Sequence, residues 1–374
     1  MSDKTEVLYP AEFVFPGHPD KLCDGIADAL VAAAIARELR ALVGVEVAVH
    51  RDRVFVTGRI GGHDAGSIEV PEVVRDVYRS AGYGDGWFPA AEDLRIKADL
   101  CVGPLEDGES DCRVLSDDQA ICVGYAVDRP ETQYLPAEQW LVGQLARRLH
   151  GLRAERPDLE LGPDGKVLAV VGESAGRFAL RGFNCSLQQR ADADAIELHR
   201  VVRVAIAEEL QRLSLSLPAL SAQVPEALTV NGAGAFEVGG PEGDNGLSGK
   251  KLVMDAYGPR VPIGGGAWSG KDFHKADRAG GLLARRLAKL MVLTGMTREA
   301  TVTVSFAPGD RAAQLLSVNA GDAGVDAARR CLRFLEMNLG ASGGRWRPDG
   351  ALVEVARWGH FQDATLPWES FGRL

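Results

Sequence analysis

A chain of 374 residues is too long for one ordinary hydrophobic core, so two or three domains are expected. The apolar and charged fractions are those of a globular protein. A formal net charge of −10 excludes the massed Lys and Arg on which sequence-independent nucleic-acid binding rests, while leaving room for a local basic pocket.

The first element is a helix over 20–40, opened by FPGHPDK (15–21). Ile26, Leu30 and Ala33 or Ala34 recur on one face of it. On another face Asp20, Asp24 and Asp28 fall four residues apart and stack in a column. One carboxylate at a helix start suits the macrodipole, but three in a column are poorly explained that way. His18, Asp20 and Lys21 crowded at a helix N-terminus read better as a place to hold an anion and its metal. A strand pair follows, VEVAV (45–49) and VFVTGRI (54–60), alternating at period two across HRDR, and then the helix EVVRDVYRSAG (72–82).

The same order returns twice. Helix 136–153 precedes the strands KVLAVVGE (166–173) and RFALRGFNCSL (177–187), closed by a helix over 194–213. Helix 277–294 precedes ATVTVSF (300–306) and AQLLSVNA (313–320), closed by VDAARRCLRFLEMNL (325–339). This recurrence predicts an α+β fold of three similar domains in pseudo-threefold packing, at 1–103, 113–228 and 231–374, with joints at 103–116 and 214–227. Six cysteines, Cys23, Cys101, Cys112, Cys122, Cys185 and Cys331, stand without a C-x-x-C pair, as reduced cytoplasmic thiols do. MSDKTEVLYPAEF has no apolar h-region and no apolar run reaches membrane length, so a cytoplasmic protein without a membrane partner is expected.

Chemistry concentrates in two glycine-rich stretches, GGPEGDNGLSGKKLVMDAYG (239–258) and GGGAWSGKDFHKADR (264–278). Glycines let backbone N–H groups approach a phosphate chain, lysines neutralise it, and neighbouring aspartates carry Mg²⁺. GGAWSGKD matches the P-loop spacing, but Asp272 stands where Ser or Thr should meet the metal, so no P-loop is expected. Read singly, each feature has a plainer alternative. Asp244 serves as a turn residue, Asp277 as a helix cap, and Glu46 as the solvent side of a half-buried strand.

Taken together, GHPDK, DQAICVGYA, GGPEGDNGLSGKK, GGGAWSGKDFHKADR and GHFQDATLPWE resemble the methionine adenosyltransferase (S-adenosylmethionine synthetase) family, in the right order over nearly the whole chain. The resemblance implies three α+β domains about a pseudo-threefold axis, with active sites between the subunits of a homodimer that often pairs into a homotetramer. It implies attack of the methionine sulfur on the 5′-carbon of ATP, with triphosphate released and cut to pyrophosphate and phosphate. His18 would sit at the 5′-oxygen; Lys166, Lys250, Lys251 and Lys271 would grip phosphates; Asp20 and Asp277 would hold two Mg²⁺, and Glu46 K⁺. Phe236 would flank adenine, with Asp118, Asp164, Asp244 and Ala267 completing the nucleotide site, and Asp244 also reaching the amino-acid side. Lys275 would face methionine.

The departures from the family pattern cluster on the amino-acid side. Arg59 stands where the family has a Glu for the methionine ammonium, and 103–116 is shortened and lacks the usual Gln. Lys250 and Ala235 each replace an Arg. Three readings follow. The first is an S-adenosylmethionine synthetase with a remodelled pocket, Glu12 taking the ammonium and Arg59 the carboxylate. The second is a relative that adenosylates an anionic sulfur nucleophile attracted by Arg59. The third is an ATP- or triphosphate-binding regulatory or hydrolytic paralogue.

Overall fold

The computed structural model describes residues 6–322, 324–346 and 350–371. In chain order the elements are β1 (Val7–Val14), α1 (Pro19–Arg37), β2 (Leu42–His50), β3 (Arg53–Gly61), α2 (Val70–Ala81), β4 (Arg95–Gly103), β5 (Ala120–Val127) and α3 (Ala137–Glu155). Then come β6 (Leu161–Ser174), β7 (Arg177–Gln189), α4 (Ala195–Ser216), β8 (Ala227–Val230), the short α5 (Gly240–Gly243), β9 (Gly246–Leu247) and α6 (Leu252–Asp255). The chain continues as α7 (Ala276–Leu293), β10 (Glu299–Phe306), β11 (Gln314–Asn319), α8 (Gly324–Cys331), α9 (Leu339–Arg345) and α10 (Leu352–Trp358).

The strands form three sheets, ordered β4-β3-β2-β9, β1-β6-β7-β8 and β11-β10-β5. Each carries helices, and the fold is α+β as expected. The sheets also borrow strands across the sequence boundaries. β1 pairs antiparallel with β6 (Glu12 opposite Leu168), and β5 pairs with β10 (Ala120 opposite Phe306). β9, from the first glycine-rich stretch, lies beside β2 (Ala48 opposite Leu247). The units therefore interlock, and 1–103, 113–228 and 231–374 stand as a proposed partition of the chain rather than of its sheets.

Helix α1 lies deep in the molecule. His18 caps it, its Nδ1 accepting from the Asp20 amide, and Pro19 fits the first turn, where a missing N–H costs nothing. Cys23, Ile26, Ala27, Leu30 and Val31 are buried, and so are all three aspartates of the column, so the helix has almost no solvent face. The helix α2 is the opposite case, amphipathic with Val70, Val74, Val77, Tyr78 and Ala81 inward, and it ends on Gly82 at φ 98°.

One helix expectation is corrected. The run 325–339 stops as a helix at Cys331, because its continuation is drawn into backbone pairing with the segment before β11. The amide of Ala313 donates to Met337 O (2.8 Å) and that of Leu339 to Arg311 O (3.1 Å). Asn338 then caps α9 through the Ala341 amide (2.7 Å).

Candidate active site

The carboxylate column of α1 fastens both glycine-rich stretches to the helix. Asp20 accepts from the Leu247 amide (3.0 Å) and pairs with Lys251 Nζ (2.5 Å), with Lys250 Nζ at 3.7 Å. Asp24 accepts from the Gly249 amide (2.8 Å) and from Lys21 Nζ (3.3 Å). Asp28 accepts from the Gly270 amide (3.0 Å) and takes both guanidinium nitrogens of buried Arg278 (2.6 and 2.9 Å). Glycine is required at this contact: a Cβ on Gly246 would lie 2.2 Å from Pro19 O. Only Asp20 of the three pairs with lysines, Lys250 and Lys251, that line an open cavity. Asp24 and Asp28 are structural, a role the sequence left unassigned.

Burial by itself would raise the Asp20 carboxyl, but the hydrogen bonds from Lys251 and the Leu247 amide and the Lys251 charge hold it below the ordinary carboxylate range. His18 is pushed down to about 4, first by burial and then by the Lys251 charge, against the opposing pull of Asp20. The imidazole is therefore neutral near pH 7. Since Nδ1 accepts from the Asp20 amide, its proton rests on Nε2, which makes the ring a hydrogen-bond donor there.

His18 lines a cavity of about 370 Å³, with Asp164, Lys166, Ser186, Phe236 and Asp244 around it, walled by Gly239, Gly240 and Gly243. That size suits a small-molecule ligand. Asp164 is buried and accepts from the Gly240 amide (2.7 Å), and burial raises it to about 6. Lys166 pairs with Glu12 (2.7 Å) from the neighbouring strand β1. A second cavity, about 430 Å³, is lined by Glu12, Lys250 and Lys251 and otherwise by Leu168, Val253, Met254 and Gln139. Asp244 accepts from the Asn245 amide (2.8 Å), the turn contact expected of it.

A second charged cluster sits at the start of α7. Lys271 pairs closely with Asp277, and Lys275 with Asp117. A Cβ on Gly266 would lie 2.0 Å from Asp277 Oδ1, so the last of the three glycines is needed for the chain to pass that carboxylate. Ala267 abuts the Gly249 turn (a Cβ there would be 2.5 Å from the Ala267 methyl), which joins the two glycine-rich stretches. Asp272 of the P-loop look-alike turns inward instead, accepting from the Val43 amide (2.7 Å) and buried Arg113 (2.8 Å). Asp118 folds back on its own turn, accepting from the Gln119 amide (2.7 Å). Thus the predicted residues fall into two groups in one chain, His18, Asp20, Lys166, Lys250 and Lys251 in the first and Lys271, Lys275 and Asp277 in the second.

Arg59 is not a free cation. Its Nε and one terminal nitrogen hold both carboxylate oxygens of Glu109 (3.0 and 2.8 Å), and the guanidinium also donates to Pro104 O (2.6 Å) and Cys101 O (3.3 Å). The Arg59 hydrogen bonds hold Glu109 down at about 2. Asp117 and Glu109 were both missed from the sequence. For Asp117 the signal was the doubled acid in SDDQ, beside the predicted Asp118.

The oxygen donors fit the cations that the resemblance implies. Among the described residues no group of three or more His, Cys, Asp or Glu gathers to make a metal cage. Mg²⁺ needs none, since one or two carboxylates with phosphate oxygens and water complete its shell, and Asp20 and Asp277 each offer one carboxylate beside a lysine. Glu46, on β2, accepts from the Ser248 hydroxyl (2.6 Å), a carboxylate–hydroxyl pair suited to a hard monovalent ion.

An α+β chain that gathers glycine-rich loops, lysines and single carboxylates around its cavities has the charges that nucleotide chemistry calls for. Comparison with known proteins narrows this. Residues 6–97 match the S-adenosylmethionine synthetase N-terminal domain and 238–370 its C-terminal domain. The S-adenosylmethionine synthase of Synechococcus sp. (strain WH7803) is 32% identical over 401 residues, covering 97% of this chain and 94% of that protein. Those of Prochlorococcus marinus (strain NATL1A), 31% identical with 97% and 96% covered, and Methylobacterium nodulans, 34% identical with 82% and 78% covered, are similar. The chain belongs to the S-adenosylmethionine synthetase family.

Proposed function

We propose that this chain forms S-adenosylmethionine from ATP and methionine. The sulfur lone pair attacks the 5′-carbon, the bond from that carbon to the triphosphate oxygen breaks, and the product is a sulfonium with triphosphate as leaving group. Triphosphate is then hydrolysed to pyrophosphate and phosphate. A thioether has no proton to lose, so the site needs a clamp for the leaving group more than a general base. The observation that carries this reading is the placement of His18 in the same cavity as Lys166, with Asp20 and its partner Lys251 beside it.

Each residue then has a task. His18 donates from Nε2 to the 5′-oxygen as negative charge grows there, and Lys166, Lys250, Lys251 and Lys271 hold the phosphates. Phe236 packs against the base, with Asp164 fixing the Gly240 turn that walls the pocket. Asp20 and Asp277 would hold Mg²⁺, which would supply charge neutralisation to the departing triphosphate. Lys251 and Lys271 are paired with those same carboxylates, so a triphosphate would draw each lysine from a carboxylate rather than meet bare charges.

The two charged groups are completed across a homodimer. Leu168, Phe55 and Ile121 are exposed, at 41%, 47% and 61%, on strands whose flanking residues are buried, so each sheet turns one large apolar side chain outward. Such side chains suit a second copy of the chain. Sedimentation should show a dimer or a pair of dimers.

The first experiment is mass spectrometry of products from protein, ATP, Mg²⁺, K⁺ and methionine, beside a reaction without methionine. S-adenosylmethionine with pyrophosphate and phosphate is expected. Phosphate products alone, or none, would overturn the reading. The anionic-nucleophile alternative draws no support from Arg59, whose charge Glu109 matches.

A further inference from the structure

The motif GHFQDATLPWE (359–369) stands out in the sequence beside the glycine-rich stretches, yet the mechanism above gives it no task. It packs against α7 and the segment leading into that helix. The His360 ring meets Trp268 edge-on (centroids 4.9 Å apart), Phe361 stacks on Tyr257 (5.2 Å), and Glu369 holds Arg285 and Lys289. His360 is fully buried, and its ring leads through Arg278 to the backbone of Lys271. Nη1 of Arg278 donates to Asp28 Oδ1 (2.6 Å) and to the Lys271 carbonyl (3.0 Å). Its Nη2 donates to Asp28 Oδ2 (2.9 Å) and meets His360 Nε2 (3.3 Å).

A guanidinium can only donate, so His360 Nε2 is the acceptor and the ring proton sits on Nδ1. That N–H is buried with no hydrogen-bond partner among the described residues. Burial and the Arg278 charge hold the imidazole well below its ordinary pKa, which leaves it neutral. An apolar ring of similar size would pack on Trp268 without burying an unpaired donor. What the imidazole adds is an acceptor for Arg278. Lys271 is where the arrangement leads. The Gly270 amide is held by Asp28 (3.0 Å) and the Gly270 carbonyl by the Val45 amide (2.9 Å). The Lys271 amide donates to Trp268 O (3.3 Å), and its carbonyl is held by Arg278. Asp28 and Arg278 thus grip the two ends of this dipeptide and grip each other, and the Lys271 side chain leaves that frame toward Asp277.

We propose that Arg278 is the positioning residue of Lys271, fixing the backbone from which that lysine reaches the triphosphate, and that His360 holds the Arg278 guanidinium at the angle this requires. The C-terminal motif then serves the reaction without touching substrate. This deepens the adenosyl-transfer reading and rests on it, because a fixed lysine matters only where it meets the leaving group.

The test is a double-mutant cycle on kcat for S-adenosylmethionine formation by the full-length protein. Arg278→Lys keeps a cation for Asp28 but offers one nitrogen where the guanidinium has two, so the Lys271 carbonyl loses its donor. It should lower kcat by about 10- to 100-fold with the ATP KM changed by less than about 3-fold, as a displaced group does. Placed on Lys271→Ala, the same change should lower kcat by less than about 2-fold more, because it acts through a side chain already removed. His360→Phe keeps a ring against Trp268 and removes the acceptor. It should lower kcat by about 3- to 10-fold, the scale of one hydrogen bond, and His360→Gln, which returns an acceptor, should recover most of that. This pair of variants, each also placed on Lys271→Ala, carries the test if Arg278→Lys does not fold. Glu369→Gln loosens the other end of the motif, at Arg285 and Lys289, and should leave kcat within about 2-fold. Losses that add in the cycle overturn the assignment, and so does an unchanged kcat in Arg278→Lys and His360→Phe. An equal fall in Glu369→Gln overturns it too, since docking of the whole segment would then be the cause. If the unsubstituted chain makes no S-adenosylmethionine, or Lys271→Ala turns over normally, the parent reading fails and takes this one with it; if Lys271→Ala is impaired and the losses add, this one fails alone.

Discussion

The phosphate side and the amino-acid side of this molecule hold their charges in different ways. Around α1 the carboxylates are buried and answered by backbone amides, so Asp20, Asp24 and Asp28 each lock a glycine-rich segment in place. Around β3 the charges are only partly buried and answered by each other, Arg59 by Glu109 and Lys275 by Asp117. A buried carboxylate fixed by amides cannot change its residue type without leaving donors unpaired. An exposed ion pair can be exchanged for another of the same net charge at small cost.

The largest effect that could break this comparison is on turnover. Lys271→Ala or Asp277→Ala removes one member of a pair that would face the leaving triphosphate. Each should lower kcat by about 10²- to 10³-fold, with the far-ultraviolet circular dichroism unchanged. Near-normal kcat in either would remove the clamp from the mechanism. Next comes stability. Arg278 is fully buried against Asp28, and Arg278→Ala leaves that carboxylate uncompensated. A loss of about 3–5 kcal/mol is expected in denaturant unfolding. A loss below about 1 kcal/mol, the scale of an exposed pair, would mean that the α1 side is no more committed than the β3 side.

A smaller and pH-dependent effect belongs to Asp255. Burial raises its carboxyl to about 7, against the opposing pull of Lys21, which it holds together with Asp24. The folded state therefore keeps a proton that the unfolded chain has released above about 4. Between roughly pH 4 and 7 the folded state binds more protons, so this group makes stability fall as pH rises through that window. Asp255→Asn should flatten that part of the pH–Tm curve. A curve parallel to that of the unsubstituted protein would show that another group carries the slope.

Much of the proposed phosphate side could be assembled from the sequence because its residues are local. GHPDK sets its own helix cap, and the lysines and aspartates of 239–278 lie within a few positions of the glycines that bend the chain around them. The helices and hairpins announced by periodicity were likewise near in sequence. What periodicity missed were partnerships made at long range: β1 beside β6, β5 beside β10, and the parallel pairing of β3 with β4, which needs the α2 crossover between them. The helix expected over 325–339 failed for the same reason, since Ala313 and Arg311 take its backbone groups. Arg59 shows the limit for side chains. As a letter it reads as an unpaired cation, and its partner Glu109 lies 50 positions away in a stretch that looks like a plain joint.

The smallest expected effect tests that partnership itself. Arg59→Glu sets two carboxylates against each other and frees the 104–109 segment, and Glu109→Arg sets two guanidinium groups together. Either change should speed cleavage of 104–112 by a protease and raise the methionine KM by a few-fold, the scale of a half-exposed pair. The double exchange, Arg59→Glu with Glu109→Arg, rebuilds the pair with its sign inverted. Its net charge matches the unsubstituted cluster, but Arg59 also donates to Pro104 O and Cys101 O, contacts that a carboxylate at 59 cannot make. Rescue should therefore be partial. The segment should regain most of its protection while the KM recovers less. Full recovery of both would mean that the carbonyl contacts contribute nothing, and no recovery would mean that the pair does not hold the segment. Because Glu109 is held at about 2, lowering the pH from 7 to 5 should leave the segment held, and it should loosen only as pH falls through that low value.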